Sequence, residues 1–344
     1  MALEFSICVL RWERYPRVAE NLRAKEWLEF QAARGLAANT LDAYGRDLNA
    51  YVRFLEAAGI SLEAVNRSTL ATYIRSISQL TTPRILKNGR GTRTTLSNAT
   101  LQQHLTVVRL FHDYLVEENL CPRNPLRPAA TKRSLISRHH RLPWIPNEEQ
   151  WQAILQVCKC EPLRNKVMLA MSYDAALRRE EICSLQSDDI DPAHRLIRIR
   201  AEATKNRRER IVPYAAATGE LFSRYLCERR RLSRERGRIF LSESYRNKGR
   251  PISIWTWSKA IGRVAQRCNL PEFTPHTLRH LCLTDLARAN WDIHEIATFA
   301  GHRKIQTTIL YIHLSGRELA DKLARGMAEI HARRVATMRK ELGC

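Results

Sequence analysis

Four short blocks in the second half of this 344-residue chain carry side chains suited to chemistry. The first, Ala175 to Leu185, sets Arg178 and Glu181 three positions apart. In the second, Thr204 to Tyr214, Lys205 opens a polar turn ahead of an alternating run. The third, Thr274 to Ala287, holds His276, Arg279 and His280. There the i,i+3 spacing puts His276 and Arg279 on one face of a helix that Thr274 or Pro275 starts. In the fourth, Ala300 to Ser315, His302 is followed nine residues on by Tyr311.

Such a set suits a phosphodiester cut by direct attack. That reaction needs a nucleophile, donors around the non-bridging oxygens as charge grows there, and an acid for the leaving oxygen. Two arginines offer forked donors, the histidines one donor each, and a lysine can give the proton. Attack by tyrosine would store the bond energy as a phosphotyrosyl ester, so ATP is not needed. The carboxylate cluster of a two-metal nuclease is missing, and the set calls for no metal or cofactor. Each residue also has a bland reading. Arg178 is one arginine among 46, Lys205 suits a solvated turn, His276 a helix cap, His302 a turn, and Tyr311 an apolar core position.

These residues need elements to hold them. The first half reads as helices: 19–35, with Leu22, Trp27 and Phe30 on one side; 39–59, repeating Leu41, Tyr44, Leu48, Tyr51, Val52 and Leu55; a third near 67–77; and a fourth with Leu101, Leu105, Val108, Phe111 and Leu115 inward. Asn39 and Thr40 are cap candidates and Gly59 a stop for the second of these. Between the third and fourth, 81–98 lacks an apolar period and reads as a basic loop, with Arg84, Lys87, Arg90 and Arg93 available to a phosphate backbone. A proline-rich basic linker at 126–146 follows, carrying Arg127, Lys132, Arg133 and Arg138. Asn147 then caps a helix with Gln150 at the capping-box position. Beyond it come a buried helix at 163–176, an alternating hairpin whose turn includes Lys205, Arg207 and Arg208, a third short strand at 237–242, and helices after Trp255. The expected fold is mainly α with a small antiparallel β-sheet.

Charge narrows the partner. The chain has 57 Lys plus Arg against 35 Asp plus Glu, a formal net charge of +22. The excess is shared, with 20 basic and 12 acidic residues in 1–140 and 37 and 23 in 141–344. A polyanion is the partner such a surface attracts, and arginine suits bidentate phosphate contacts. No stretch of 18 uncharged apolar residues is present to span a membrane. The N-terminus lacks the basic region of a signal peptide. Nine cysteines are spread without metal-ligand spacing, the closest pair being Cys158 and Cys160. They read as reduced thiols in a cytoplasmic protein.

In order and spacing the blocks resemble the tyrosine recombinase, or integrase, family. The family's Gly-Leu-Arg-x-x-Glu-Leu is matched by Ala176 to Ile182, its lysine hairpin by Lys205 before Glu209 to Pro213, and its His-x-x-Arg by His276 to Arg279. Gly301-His302 and Tyr311 complete the match. Ala176 replaces the usual glycine, Ala300 the usual leucine, and the lysine turn lacks Gly-Lys-Gly. The resemblance implies a helical core-binding domain at 21–125 after an extension at 1–20, and a mixed α/β catalytic domain at 147–320. A helical tail at 321–344 would dock on a neighbouring protomer, with Leu319, Leu323 and Met327 as its apolar stripe. It further implies that Tyr311 is the nucleophile and Lys205 the general acid. Arg178 and Arg279 would then hold the non-bridging oxygens, while His276 and His302 donate hydrogen bonds or help transfer the nucleophile's proton, with Glu181 supporting the set. The expected partner is double-stranded DNA with specific sites, bound by a tetramer that passes through a Holliday junction, with accessory proteins or a second recombinase as further candidate partners. The atypical loop and linker favour a mobile-element role. A type IB topoisomerase or a non-catalytic architectural DNA-binding protein are the rival readings.

Overall fold

The computed structural model describes residues 10–79, 81–85, 91–127, 142–204 and 208–342; at 81–85, 91–94, 317–322, 324 and 342 the description is of backbone. Two compact units divide the chain, 1–140 and 141–344.

In the first unit, short α1 (Pro16–Glu20) leads into α2 (Leu22–Ala33), where the Asn21 side chain accepts from the Ala24 amide at 3.0 Å. The expected inner face of α2 is corrected. Trp27 is buried, but Leu22 and Phe30 are 63% and 50% exposed, and the core stripe is Ala24, Trp27, Leu28 and Gln31. Those four repeat at three and four residues, whereas Leu22 lies five before Trp27 and falls off that face. Next, α3 (Ala38–Ala58) starts one residue ahead of Asn39, with Ala37 as its cap, and ends at Gly59 in the left-handed region. Five of its six predicted apolar positions are buried, and Tyr44 stacks on Trp27 with centroids 5.8 Å apart. The next helix, α4, spans Arg67–Gln79.

The predicted loop at 81–98 contains a hairpin instead. Strands β1 (Thr81–Ile85) and β2 (Gly91–Thr95) pair antiparallel, from Thr81 opposite Thr95 to Ile85 opposite Gly91. β-branched threonine favours this backbone, and with few apolar residues on either strand no alternation marks it in the sequence. Helix α5 (Asn98–Glu117) follows, capped by Ser97, with all five predicted inward residues buried.

The second unit opens on α6 (Glu148–Cys158), where Asn147 and Gln150 form the expected capping box. Then come α7 (Leu163–Asp174), short α8 (Arg179–Ser184), and β3 (Ile190–Asp191), β4 (Leu196–Ile199) and β5 (Arg210–Pro213) in one antiparallel sheet. Helices α9 (Ala216–Leu232), α10 (Ile254–Arg267), α11 (Pro275–Arg288), α12 (Ile293–Ala300), α13 (Gln306–Leu314) and α14 (Arg317–Leu342) complete the unit. The third strand is Ile190–Asp191, not the predicted 237–242. In that segment Arg238 and Leu241 form isolated bridges only, with Gln186 and Pro251. Side chains of α9 take its backbone groups: Tyr225 Oη donates to the Ile239 carbonyl and accepts from the Leu241 amide, and Arg229 donates to the carbonyls of Arg238 and Ile239. With its polar backbone satisfied in this way, the segment needs no sheet neighbour.

Helical Gly45 has a packing reason. A Cβ there would lie 2.7 Å from two ring atoms of buried Tyr15. Gly45→Ala should therefore destabilise the first unit by about 1 kcal/mol, since overpacking costs roughly 1–3 kcal/mol against a helix-propensity gain of about 1 kcal/mol. Urea unfolding followed by tryptophan fluorescence measures this; an unchanged or higher midpoint would show that Tyr15 moves aside without cost.

Candidate active site

The chain leaves α7 through Ala176, whose φ of +46° is the left-handed region. This explains why glycine suits the position: alanine there costs roughly 1–2 kcal/mol. The turn sets Arg178 at the start of α8. Its amide donates to Glu181 Oε2 at 2.9 Å, its guanidinium to Glu181 Oε1 at 2.7 Å and to the Gly301 carbonyl at 3.3 Å.

Glu181 is buried and also meets Arg210 from β5. Arg210 donates through both terminal nitrogens to the two carboxylate oxygens, at 3.1 and 2.7 Å, and through Nε to the Phe299 carbonyl at 3.0 Å. The end of α12 is shaped for it. Gly301 has φ +62°, and a Cβ there would sit 3.0 Å from Arg210 Nη1. Burial alone would raise the Glu181 pKa, but the Arg210 hydrogen bonds and the charges of Arg210 and Arg178 hold it at about 2.

Arg279 projects from α11 into the interior. Its guanidinium donates to the carbonyls of Ala176 and Ala300 and to His302 Nε2, the last at 3.0 Å. A guanidinium has no acceptor, so His302 Nε2 is unprotonated and its Nδ1–H points to Thr308 Oγ1 at 2.9 Å. Burial first, then the charges of Arg279, Arg178 and Arg210, press His302 to about 3. Burial and the Arg178 charge lower Arg279 to about 10, leaving it a cation at neutral pH.

Tyr311 of α13 is buried with its ring parallel to His302, centroids 6.0 Å apart. Its hydroxyl lies 3.0 Å from His280 Nδ1. Burial raises its pKa, against the pull of Arg279 and Arg178. His276 stands exposed one turn before His280 on α11, its pKa lowered by partial desolvation and by Arg179, Arg279 and Arg178 against Glu180. Two guanidinium groups thus bond one buried carboxylate while a third, Arg279, is held by carbonyls and His302, leaving positive charge to spare for an anion.

Five sequence-predicted residues meet here: Arg178, Glu181, Arg279, His302 and Tyr311, with His276 at the rim. Lys205, Arg207, Lys87, Arg90, Lys132, Arg133 and Arg138 lie outside the described residues. Arg84 and Arg93 are on β1 and β2. Arg208 is exposed, its amide bonded to Thr204 Oγ1, and exposed Arg127 pairs with Asp113 at 2.8 Å. The sequence reading missed Arg210 and left His280 without a role. Arg210 is one arginine among 46, and nothing local marks it; His280 sits beside Arg279, but only the helical turn aims it at a tyrosine 31 residues away. Among the described residues no cluster of His, Cys, Asp or Glu could hold a metal ion, and no helix is long and apolar enough to cross a membrane.

Comparison with known proteins matches this architecture. Residues 146–318 match the phage integrase family, and residues 24–119 match the phage integrase N-terminal SAM-like domain. The chain belongs to the tyrosine recombinase family. It is an enzyme that breaks and rejoins DNA strands in site-specific recombination. It is 28% identical over 320 residues to tyrosine recombinase XerD of Halalkalibacterium halodurans, covering 88% of this chain and 97% of that one. To XerC of Mycobacterium tuberculosis it is 27% identical over 301 residues, covering 84% and 92%. The fold is that of the XerH recombinase in its post-cleavage complex with a palindromic difH substrate (TM-score 0.67, 19% identity, 91% of this chain and 87% of that one). It is also that of the Tn1549 transposon integrase with right-end DNA (TM-score 0.64, 18%, 88% and 98%).

The Glu181 cluster predicts an acid-sensitive fold. Its folded pKa of about 2 lies below the ordinary glutamate value of 4.5, so its stabilisation is fully present above about pH 4.5 and is lost as pH falls through about 2. Glu181→Gln should remove on the order of 3 kcal/mol at pH 7 and flatten the stability profile in that acid window. Unfolding of both proteins across a pH series tests this; equal slopes would show that the carboxylate carries no such linkage.

Proposed function

We propose that Tyr311 attacks a scissile DNA phosphate, forming a 3′-phosphotyrosyl bond as the bond to the 5′-oxygen breaks. The convergence of Arg178, Arg279 and His302 around the buried Tyr311 carries this reading. Arg178 and Arg279 hold the non-bridging oxygens, and Glu181, tied to Arg178 and Arg210, fixes the first of these guanidiniums. His276 and His302 serve as further hydrogen-bond groups at the phosphate. Lys205, five residues ahead of Arg210, gives its proton to the 5′-oxygen. A partner strand's 5′-hydroxyl then attacks the phosphotyrosyl ester and releases the tyrosine, first making and later resolving a Holliday junction.

The DNA is double-stranded and carries specific sites, and its phosphates meet a chain of net charge +22. The basic residues of the 81–95 hairpin, the linker and the Lys205 turn contact its backbone. Assembly is as a tetramer on paired sites, and the work is that of a mobile element, the hairpin between α4 and α5 being the feature that favours it. Leu323, Met327 and Ile330 are exposed on α14 and dock that helix onto a neighbouring protomer.

Suicide DNA substrates from around the protein's own gene, nicked beside candidate cleavage positions, should trap a covalent adduct through the 3′-phosphate that disappears with Tyr311→Phe. Relaxation of plasmids that lack any such site, by a monomer, would favour the topoisomerase reading instead. Truncation after Arg317 should weaken synapsis more than single-site binding, measured by gel shift. Equal loss of both would remove α14 from assembly.

A further inference from the structure

Attack by Tyr311 requires that its phenol proton go somewhere, and the groups nearest the site differ in their freedom to take it. Glu181 is occupied by two arginines and held at about 2. Arg279 only donates. His302 lies with its ring parallel to the tyrosine ring, its nitrogens committed to Arg279 and Thr308. His276 stands exposed one turn away. His280 remains, with Nδ1 3.0 Å from Tyr311 Oη and its ring 5.8 Å from the tyrosine ring, centroid to centroid.

We propose that His280 is the base that takes the proton of Tyr311 through Nδ1 and returns it when the phosphotyrosyl bond is broken. The proposal rests on the reading of Tyr311 as nucleophile. In the forward step the Oη–H proton moves to Nδ1, the Oη–P bond forms and the P–O5′ bond breaks, the leaving oxygen taking its proton from Lys205. In the reverse step an incoming 5′-hydroxyl attacks phosphorus, its proton passes to Lys205, and His280 gives its own back to the departing tyrosine. Both protons are accounted for, and no other reactant is needed.

The surroundings also gate this base. The groups facing the pair are His276, Arg279 and Cys282 on α11, Arg178 at the start of α8 and His302 before α13; Tyr173 of α7, whose hydroxyl is bonded to Asp285, packs on the apolar cluster that holds Tyr311. Burial first, then the charges of His276 and Arg279, hold His280 at about 4, so at neutral pH the ring is uncharged and able to accept. A phosphate between the arginines offsets the positive field around His280, which makes the ring more basic when substrate is in place. Tyrosine activation is thereby coupled to occupancy of the site.

The test is single-turnover cleavage of a nicked suicide substrate by the full chain, comparing wild type, Tyr311→Phe, His280→Asn and His280→Ala from pH 6 to 9. Asparagine keeps a polar group near the Nδ1 position but cannot take up a proton. His280→Asn should bind DNA as wild type does and cleave at least ~100-fold more slowly, the scale of general-base contributions. Its rate should rise with pH where the wild-type rate is level, and added imidazole should restore part of the His280→Ala rate. A wild-type rate in His280→Asn would overturn the proposal. So would a slower rate with an unchanged pH profile and no imidazole rescue, which would leave His280 a positioning role only. If His280→Asn fails to fold, the rescue of His280→Ala decides alone. An adduct that survives in Tyr311→Phe would instead overturn the nucleophile assignment and this proposal with it.

Discussion

A carboxylate buried between two guanidiniums is the constraint on which the rest of the site depends. Glu181 cannot stay ionised in the interior without Arg178 and Arg210, and each arginine in turn spans two elements. Arg178 links α8 to the Gly301 turn, and Arg210 links β5 to the end of α12. One ion-paired cluster therefore holds a helix start, a sheet strand and a helix end in register. Taking one member away leaves uncompensated charge in a desolvated place, which is why such a cluster is costly to disturb.

The ends of helices provide the remaining anchors. The carbonyls of Ala176, Ala300 and Gly301 lie where regular helical bonding stops, and Arg279 and Arg178 take them up. These contacts orient the guanidiniums without neutralising them, so the positive field persists. It is felt by His302 and His280, both kept uncharged, and it draws the Tyr311 phenol toward ionisation against the effect of burial. An anion placed in this field would relieve a repulsion already present, which is the physical meaning of a site organised ahead of its substrate.

Much of the fold was legible because apolar spacing and capping chemistry are local. The repeat from Leu41 to Leu55, the inward set from Leu101 to Leu115 and the Asn147–Gln150 box each appear as read. The errors have physical causes. The 81–95 hairpin is rich in threonine and poor in apolar residues, so no alternation reveals it. The 237–242 segment carries a short apolar run, Ile239 to Leu241, that reads as a strand, yet Tyr225 and Arg229 take backbone groups of it in place of a neighbouring strand. Leu22 and Phe30 are apolar, but the α2 stripe that meets the core runs through Ala24 and Leu28.

By itself the sequence determined the residue types, their order and most of the helices that carry them, and hence the family resemblance that singles out Arg178, Glu181, His276, Arg279, His302 and Tyr311 as the candidate site. What it left undetermined was which of 46 arginines holds the buried carboxylate and which histidine nitrogen faces the Tyr311 hydroxyl. Arg210 meets Glu181 from 29 residues away, and His280 meets Tyr311 across 31. Local spacing specifies how an element turns, while partners on different elements are selected only when packing removes water and makes an unpaired charge or donor expensive. Tertiary structure alone decided those pairings.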